Sequence, residues 1–248
     1  MKVIVVMPAY NAARTLEPTV RDIPPGSVDE IILVDDASKD NTIEVAKRLK
    51  LTIGTHDSNR GYGANQKTCY RLALEHGADI VVMIHPDYQY DSRLTPYLVG
   101  LLKDAHLDVM LGSRIRTRKE ALDGGMPHYK YFANRVLTLF ENIGTGMNLS
   151  EWHTGFRAFH RRVLETIPWE NNSDDFVFDS QILMQCVAFG FRIGEVPVPV
   201  RYHDTSSSIN WKRSITYGLR TMQTLGIFLL HRIHLIQSPL FTPQHNRD

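Results

Sequence analysis

A chain of 248 residues is long enough for one large domain or two small ones. Its composition, 43% hydrophobic and 22% charged, is that of a folded globular protein, and a net charge of +1 offers no broad footprint for nucleic acid. The two cysteines, Cys69 and Cys186, form neither a disulfide framework nor a zinc spacing, so they read as reduced, structural thiols in a cytoplasmic setting.

Val3 to Met7 reads as a buried strand ended by Pro8. The same apolar start is too short for a signal peptide and lacks a small-residue cleavage site. Helical spacing runs from Ala12 to Asp22 and stops before Pro24-Pro-Gly26. Ile31 to Val34 is a second strand, followed by a helix from Asn41 to Leu49 with Asp40 as its cap. Leu51 to Thr55 is a third strand, Asn59 to Gly63 a turn, and Ala64 to His76 a helix ending at Gly77. The unbroken apolar run Ile80 to Ile84 suits a strand buried on both faces. A helix from Leu94 to Asp104 and a strand from Asp108 to Leu111 complete a pattern of strands alternating with helices. That pattern implies right-handed crossovers and an α/β, mainly parallel sheet covered on both faces.

After Arg114 the pattern loosens. Thr117 to Tyr129 carries charge, glycine and a proline, and reads as a loop. Tyr131 to Ile143 and Phe176 to Phe189 read as helices, Asn148 to Phe159 as a short-strand region, and Glu195 to Arg201 as an edge strand or extended arm around Pro197 and Pro199. A long helical stretch spans Asn210 to Ile236, and no apolar run reaches transmembrane length. The expected division is a body of residues 1–205, with halves 1–114 and 115–205, and a helical tail of residues 206–248.

Polar residues gather where successive strands end: Tyr10 and Asn11, Asp35 and Asp36, Asp57 and Asn59, Asp87 and Gln89, and Arg114. In a parallel sheet these ends converge on one rim, outside which open α/β sheets bind ligands. An aspartate there can accept from a base or ribose, and Tyr10 can stack on a base. Asp87 and Gln89 alternate with Tyr88, so in extended backbone they share a side. Their carboxylate and amide oxygens are hard ligands for Mg²⁺ or Mn²⁺ carrying a diphosphate. A dinucleotide fingerprint is excluded, because Asn59-Arg-Gly-Tyr-Gly63 lacks the third glycine and follows the third strand, not the first.

Five segments in this order resemble family 2 glycosyltransferases of the GT-A fold, above all the branch of dolichyl- and polyprenyl-phosphate sugar synthases. They are Pro8-Ala-Tyr-Asn11, Val34-Asp-Asp-Ala-Ser-Lys-Asp40, Asn59-Arg-Gly-Tyr-Gly-Ala64, Gly112-Ser-Arg114 and Thr154-Gly-Phe-Arg157. The resemblance implies a GDP- or UDP-sugar donor held by Pro8, Ala9, Tyr10, Asn11, Asp35, Asp36, Asn59, Gly61, Gly63 and Arg114. It implies a divalent cation, Mg²⁺ or Mn²⁺, at Asp87 and Gln89, with His85 at a position where the family has an aspartate. Ala12 likewise stands where the opening motif usually has glutamate.

Inverting sugar transfer needs a stabilised diphosphate leaving group and an acceptor on the opposite face of the sugar. Arg157 and Arg201 are the candidates for phosphate contact. Glu151 and Asp179 are the candidate bases or acceptor contacts, and Asp87 is essential to turnover. A lipid phosphate acceptor needs no base, whereas a glycan hydroxyl does. The expectation is a polyprenyl phosphate at the inner membrane face. The alternatives are a glycan hydroxyl or a non-catalytic sugar-nucleotide-binding protein. The basic and aromatic tail (Trp211, Lys212, Arg213, Tyr217, Arg220, Phe228, Arg232 and His234) suits peripheral membrane contact, packing on the body, or a homo-oligomer.

Overall fold

The computed structural model describes residues 1–115, 117–201 and 211–243, the side chains of 211 and 212 excepted. The expected start of the tail at Ser206 lies outside the described residues. The first half alternates β1 (Val3–Ala9), α1 (Leu16–Arg21), β2 (Glu30–Asp35), α2 (Thr42–Arg48), β3 (Thr52–Thr55), α3 (Tyr62–Glu75), β4 (Ile80–Met83), α4 (Thr95–Asp104) and β5 (Val109–Ser113). The second half adds α5 (Arg118–Asp123), α6 (His128–Thr145), β6 (Arg157–His160), α7 (Arg161–Thr166), α8 (Phe178–Ala188), β7 (Ile193–Pro197) and α9 (Trp211–Arg232).

The seven strands form one sheet in the order β3-β2-β1-β4-β6-β5-β7. Only β6 runs antiparallel to its neighbours, β4 and β5. The second half therefore completes the same sheet as the first. β1 is buried at every position, and two apolar clusters cover the sheet's two faces. Cys69 and Cys186 are free thiols inside the first of them. From β1 the chain steps outward to β2 on one side, and β4 lies on the other. This reversal opens a crevice at the carboxyl ends of β1 and β4.

Two expectations are corrected. Thr117 to Tyr129 is not an open loop: Thr117 Oγ1 accepts from Glu120 N at 3.1 Å and starts α5. Its glycines end that helix, and Pro127 precedes the first residue of α6. Residues 86–88 are a turn, not extended backbone. Asp87 Oδ1 accepts from Gln89 N at 3.0 Å, and Tyr88 adopts φ of 57°. β7 is an edge strand as expected, and its proline ends the pairing with β5 at Ser113.

Candidate active site

The five motifs hold one another. The loop after β1 lies against the loop after β2: Asn11 N donates to Ser38 Oγ at 2.8 Å, Lys39 N to Asn11 Oδ1 at 2.8 Å, and Ala13 N to Asp40 Oδ2 at 3.0 Å. Both Asn11 and Ala37 pay for this tight fit with positive φ, 54° and 59°. Asp36 is consumed internally: it accepts from Arg60 N at 2.8 Å and Gly61 N at 3.0 Å, and its Oδ1 lies 2.7 Å from His56 Nδ1. Asp35 Oδ2 accepts from Ser38 N at 2.9 Å, while its Oδ1 is buried with no partner among the described residues.

The glycines at 61 and 63 are demanded by a crossing chain. A Cβ on Gly61, whose φ is 100°, would lie 2.7 Å from Asp174 O, and one on Gly63 would strike Ser173 O. The two late motifs close on each other in the same way. Gly112 N donates to Phe156 O at 2.8 Å, and a Cβ on Gly112 would come within 2.8 Å of the Phe156 ring.

These loops frame a cleft of two lobes. The strand-end lobe is lined by Pro8 to Ala12, Asp36, Asn59, Gly61, Asn65, Asp87 and Arg213, among others. The helix lobe is lined by Gln89, Tyr90, Arg114, Tyr129, Lys130, Asn134, His153, Asp179 and Tyr217, among others. Tyr62, His85 and Phe176 line both and form the divide. Tyr62 stacks between the other two, with ring centroids 5.2 Å from His85 and 4.6 Å from Phe176.

A polar chain runs through the divide. Tyr62 Oη donates to Asp179 Oδ2 at 2.8 Å and lies 2.8 Å from His85 Nε2. The tyrosine has one proton to give, so His85 must carry its own on Nε2, leaving a lone pair on Nδ1. Burial holds the His85 imidazole below its ordinary range, against the pull of Asp87 and Asp179, so it is neutral. Asp179 Oδ1 also accepts from Gln66 Nε2 at 2.9 Å and lies 3.1 Å from Arg157 Nη1.

The expected residues therefore divide. Pro8, Ala9, Tyr10, Asn11, Asp36, Asn59, Gly61 and Asp87 share the strand-end lobe, while Gln89, Arg114 and Asp179 lie in the helix lobe. Asp35, Gly63, Glu151, Arg157 and Arg201 line neither. Glu151 is fully buried, accepting from Arg114 N at 2.8 Å, Arg114 Nε at 2.8 Å and Asn134 Nδ2 at 2.9 Å. Against the upward push of burial, the Arg114 charge and its hydrogen bonds hold this carboxyl below its usual range. Arg157 is also fully buried, behind Asp179. Arg201 stacks on Tyr88 at 4.8 Å and lies 3.6 Å from Asp22, away from both lobes.

Sequence reasoning gave no site role to Tyr62, Lys130, Asn134, Phe176 or Tyr217. Tyr62 sat unremarked inside a quoted motif, and Lys130 beside an expected loop. Burial, then the neighbouring Arg114 charge, lower the Lys130 ammonium's pKa.

Among the described residues, no three His, Cys, Asp or Glu side chains converge to hold a metal by themselves. Of the expected metal ligands, Gln89 lines the other lobe, while Asp87 and His85 share the strand-end lobe, where a carboxylate and a neutral imidazole suit a divalent cation brought in on a diphosphate. Such ions take one or two protein ligands and complete their shell with phosphate oxygens and water.

The sequence profile of Glycosyl transferase family 2 matches residues 4–167. A UDP-N-acetylglucosamine–dolichyl-phosphate N-acetylglucosaminyltransferase of Methanococcus voltae is 27% identical over 82% of this chain and 87% of its own. An undecaprenyl-phosphate mannosyltransferase of Micrococcus luteus is 26% identical over 80% and 83%. The glucosyl-3-phosphoglycerate synthase of Mycobacterium tuberculosis, solved with Mn²⁺, uridine diphosphate and glucosyl-3-phosphoglycerate, shares the fold. Its TM-score is 0.69 at 20% identity, over 96% of this chain and 81% of that one.

Proposed function

The chain belongs to glycosyl transferase family 2 and is a glycosyltransferase, and we propose that it moves a sugar from a nucleotide donor to a polyprenyl phosphate with inversion. The donor's nucleotide occupies the strand-end lobe. Tyr10, exposed in that lobe, stacks on the base. Asp87 and His85 would hold a divalent cation, which would supply positive charge to the diphosphate leaving group. Arg213 reaches the same lobe from the tail helix and suits the diphosphate as well.

The acceptor enters the helix lobe, on the other side of Tyr62, His85 and Phe176. A phosphate oxygen there attacks the anomeric carbon from the face opposite the leaving group. The new C–O bond forms as the bond to the diphosphate breaks, and the diphosphate departs with the electron pair. Attack across the divide inverts the anomeric centre.

The observation that carries the phosphate acceptor is the state of the carboxylates. A hydroxyl acceptor needs a base, but Glu151 is locked to Arg114 and Asn134. Asp179 already accepts from Gln66 and Tyr62 and faces Arg157. The lobe offers Arg114 and Lys130 instead, which suit an acceptor that arrives as an anion. The Methanococcus and Micrococcus relatives, named for transfer to dolichyl and undecaprenyl phosphate, point the same way.

The test is a transfer assay with nucleotide sugars and Mg²⁺ or Mn²⁺, using a detergent-solubilised polyprenyl phosphate or a water-soluble glycan. Product on the lipid phosphate is expected, with Asp179→Asn retaining measurable transfer per folded molecule. Product only on the glycan, abolished by Asp179→Asn, would overturn the acceptor assignment.

A further inference from the structure

Helix α6 is built inside out. Its buried residues are polar: Asn134, Thr138, Glu141 and Thr145. Its apolar residues face outward, with Phe132 71%, Leu139 56%, Phe140 47% and Ile143 70% exposed. At about 100° per residue, Tyr129, Phe132, Ala133, Val136, Leu139, Phe140 and Ile143 fall within an arc of roughly 120°. A helix that packs its apolar stripe on the body shows the opposite polarity.

Helix α9 repeats the feature. Ile215, Leu219, Leu229 and Leu230 are exposed, and with Met222 they fall on one stripe, while Thr221, Thr224, Leu225 and Phe228 are buried. The two helices touch: Leu225 meets Gly144, and Leu137 packs over Gly218. Equal steps of seven residues on both helices mean that they run side by side in the same direction. The contact flank of α6 lies clockwise of its stripe and that of α9 anticlockwise. Both stripes therefore point the same way and merge into one apolar surface, and Ile233, Leu235 and Ile236, just after α9, are exposed as well.

We infer that this α6–α9 face seats the protein on the surface of an anionic lipid bilayer. Two observations select that occupant. The first is charge: the exposed face of the pair carries no acidic side chain, because α9 has none and the one acid of α6, Glu141, is buried, and the exposed Arg232 closes α9 next to the exposed Ile233. The second is continuity: Tyr129 belongs both to the exposed stripe and to the lining of the helix lobe, so the apolar surface leads into the acceptor's entrance. Each helix is apolar along one exposed side only, so the pair lies in the plane of the interface. A polyprenyl chain can then stay in the bilayer while its phosphate reaches Arg114 and Lys130. This role rests on the lipid-phosphate acceptor proposed above, but the surface is read independently of it.

The test is flotation of the whole protein with vesicles of phosphatidylcholine, alone or mixed with phosphatidylglycerol, without nucleotide or acceptor. The wild type is expected to float with the anionic vesicles. The combined variant Phe132→Ser, Ile143→Ser and Leu219→Ser is expected to lose at least about tenfold in partitioning, while keeping nucleotide binding and transfer to a short, water-soluble polyprenyl phosphate. A second measurement places a polarity-sensitive dye on Ile143→Cys, which is selective because Cys69 and Cys186 are 0% exposed. The dye should shift to the blue on anionic vesicles, and the same dye on Lys47→Cys of α2 should not. A wild type that stays in solution, or a combined variant that floats like it, would overturn the proposal. So would a dimer that the three substitutions dissociate and that binds no vesicles, which would give the face to a second copy of the chain. Vesicle binding without transfer to any polyprenyl phosphate would support this face and sink the acceptor assignment; transfer without vesicle binding would do the reverse.

Discussion

Replacing Gly155 by alanine should lower stability and activity through one ring. A Cβ at this position would lie 2.8 Å from His85 Nε2 and closer still to Cδ2, distances that real Cβ atoms do not show. His85 cannot retreat freely, because Tyr62 holds its Nε2 at 2.8 Å and stacks on its face. Overpacking costs about 1–3 kcal/mol, and a lost Tyr62–His85 hydrogen bond about 1 kcal/mol more. The backbone at Gly155 lacks a positive φ, so alanine would otherwise stabilise by about 0.4–1 kcal/mol through the unfolded chain. The net loss is roughly 1–3 kcal/mol, or roughly 2–12 °C in Tm for a chain of this size. Transfer should fall by roughly a hundredfold, as for a misplacement of about 1 Å at a reacting centre. Thermal melts of the two single variants, Gly155→Ala and His85→Ala, and of the double variant close the cycle. In the His85→Ala background the alanine should become neutral or stabilising. The same penalty in both backgrounds would refute the steric argument, as would a single variant that melts like the wild type.

Asp87→Ala should abolish transfer and weaken Mn²⁺-dependent binding of a nucleoside diphosphate by titration, with the fold retained and only about 1 kcal/mol lost with the Gln89 N hydrogen bond; retained activity would remove Asp87 from the site. Glu151→Gln should cost about 3 kcal/mol, because it leaves the Arg114 guanidinium without its buried partner, yet keep transfer per folded molecule. An unchanged melt with transfer abolished would make Glu151 a base after all. Against burial, Lys2, Thr52 and His76 hold the Glu30 carboxyl at about 2, below an unfolded value of 4.5. A depressed acid contributes stability above its unfolded value and loses it as pH falls through the folded one. Denaturant melts should therefore show an acid loss between about pH 4.5 and 2 that Glu30→Gln reduces by on the order of 1–2 kcal/mol; identical pH profiles would refute the assignment.

The rim of polar residues was legible because each apolar strand stops at its own polar residues, and the alternation with helices fixes that all the ends converge. What each polar residue does there was not legible. Asp36 looks like a ligand contact from its place in the motif, but its oxygens go to Arg60 N, Gly61 N and His56, partners set by how the third strand returns. The glycines at 61 and 63 look like a phosphate cradle, yet the backbone at residues 173 and 174 already demands them. Arg157 sits inside a motif and carries charge, but its strand lies between β4 and β5, which buries it beneath the cleft. Long-range pairing decides such roles, and local pattern does not encode it.

Helix α6 shows the same limit in a sharper form. Its periodicity announces a helix with one apolar and one polar face, but periodicity does not say which face turns inward. The site decides. Asn134 must reach Glu151 Oε1 at 2.9 Å to help hold the carboxylate that positions Arg114. Glu141 Oε2 lies 3.1 Å from His153 Nε2, whose Nδ1 meets Tyr217 Oη at 2.6 Å across the wall of the helix lobe. Turning α6 by half a revolution would bury its apolar stripe, but it would strip Glu151 of the Asn134 hydrogen bond, at about 1–3 kcal/mol, and carry the Glu141 carboxylate, which makes no hydrogen bond among the described residues, away from His153. The polar interior of the helix lobe thus forces the apolar residues of α6 outward. Whatever covers them is therefore tied, through the same helix, to the residues that line the helix lobe.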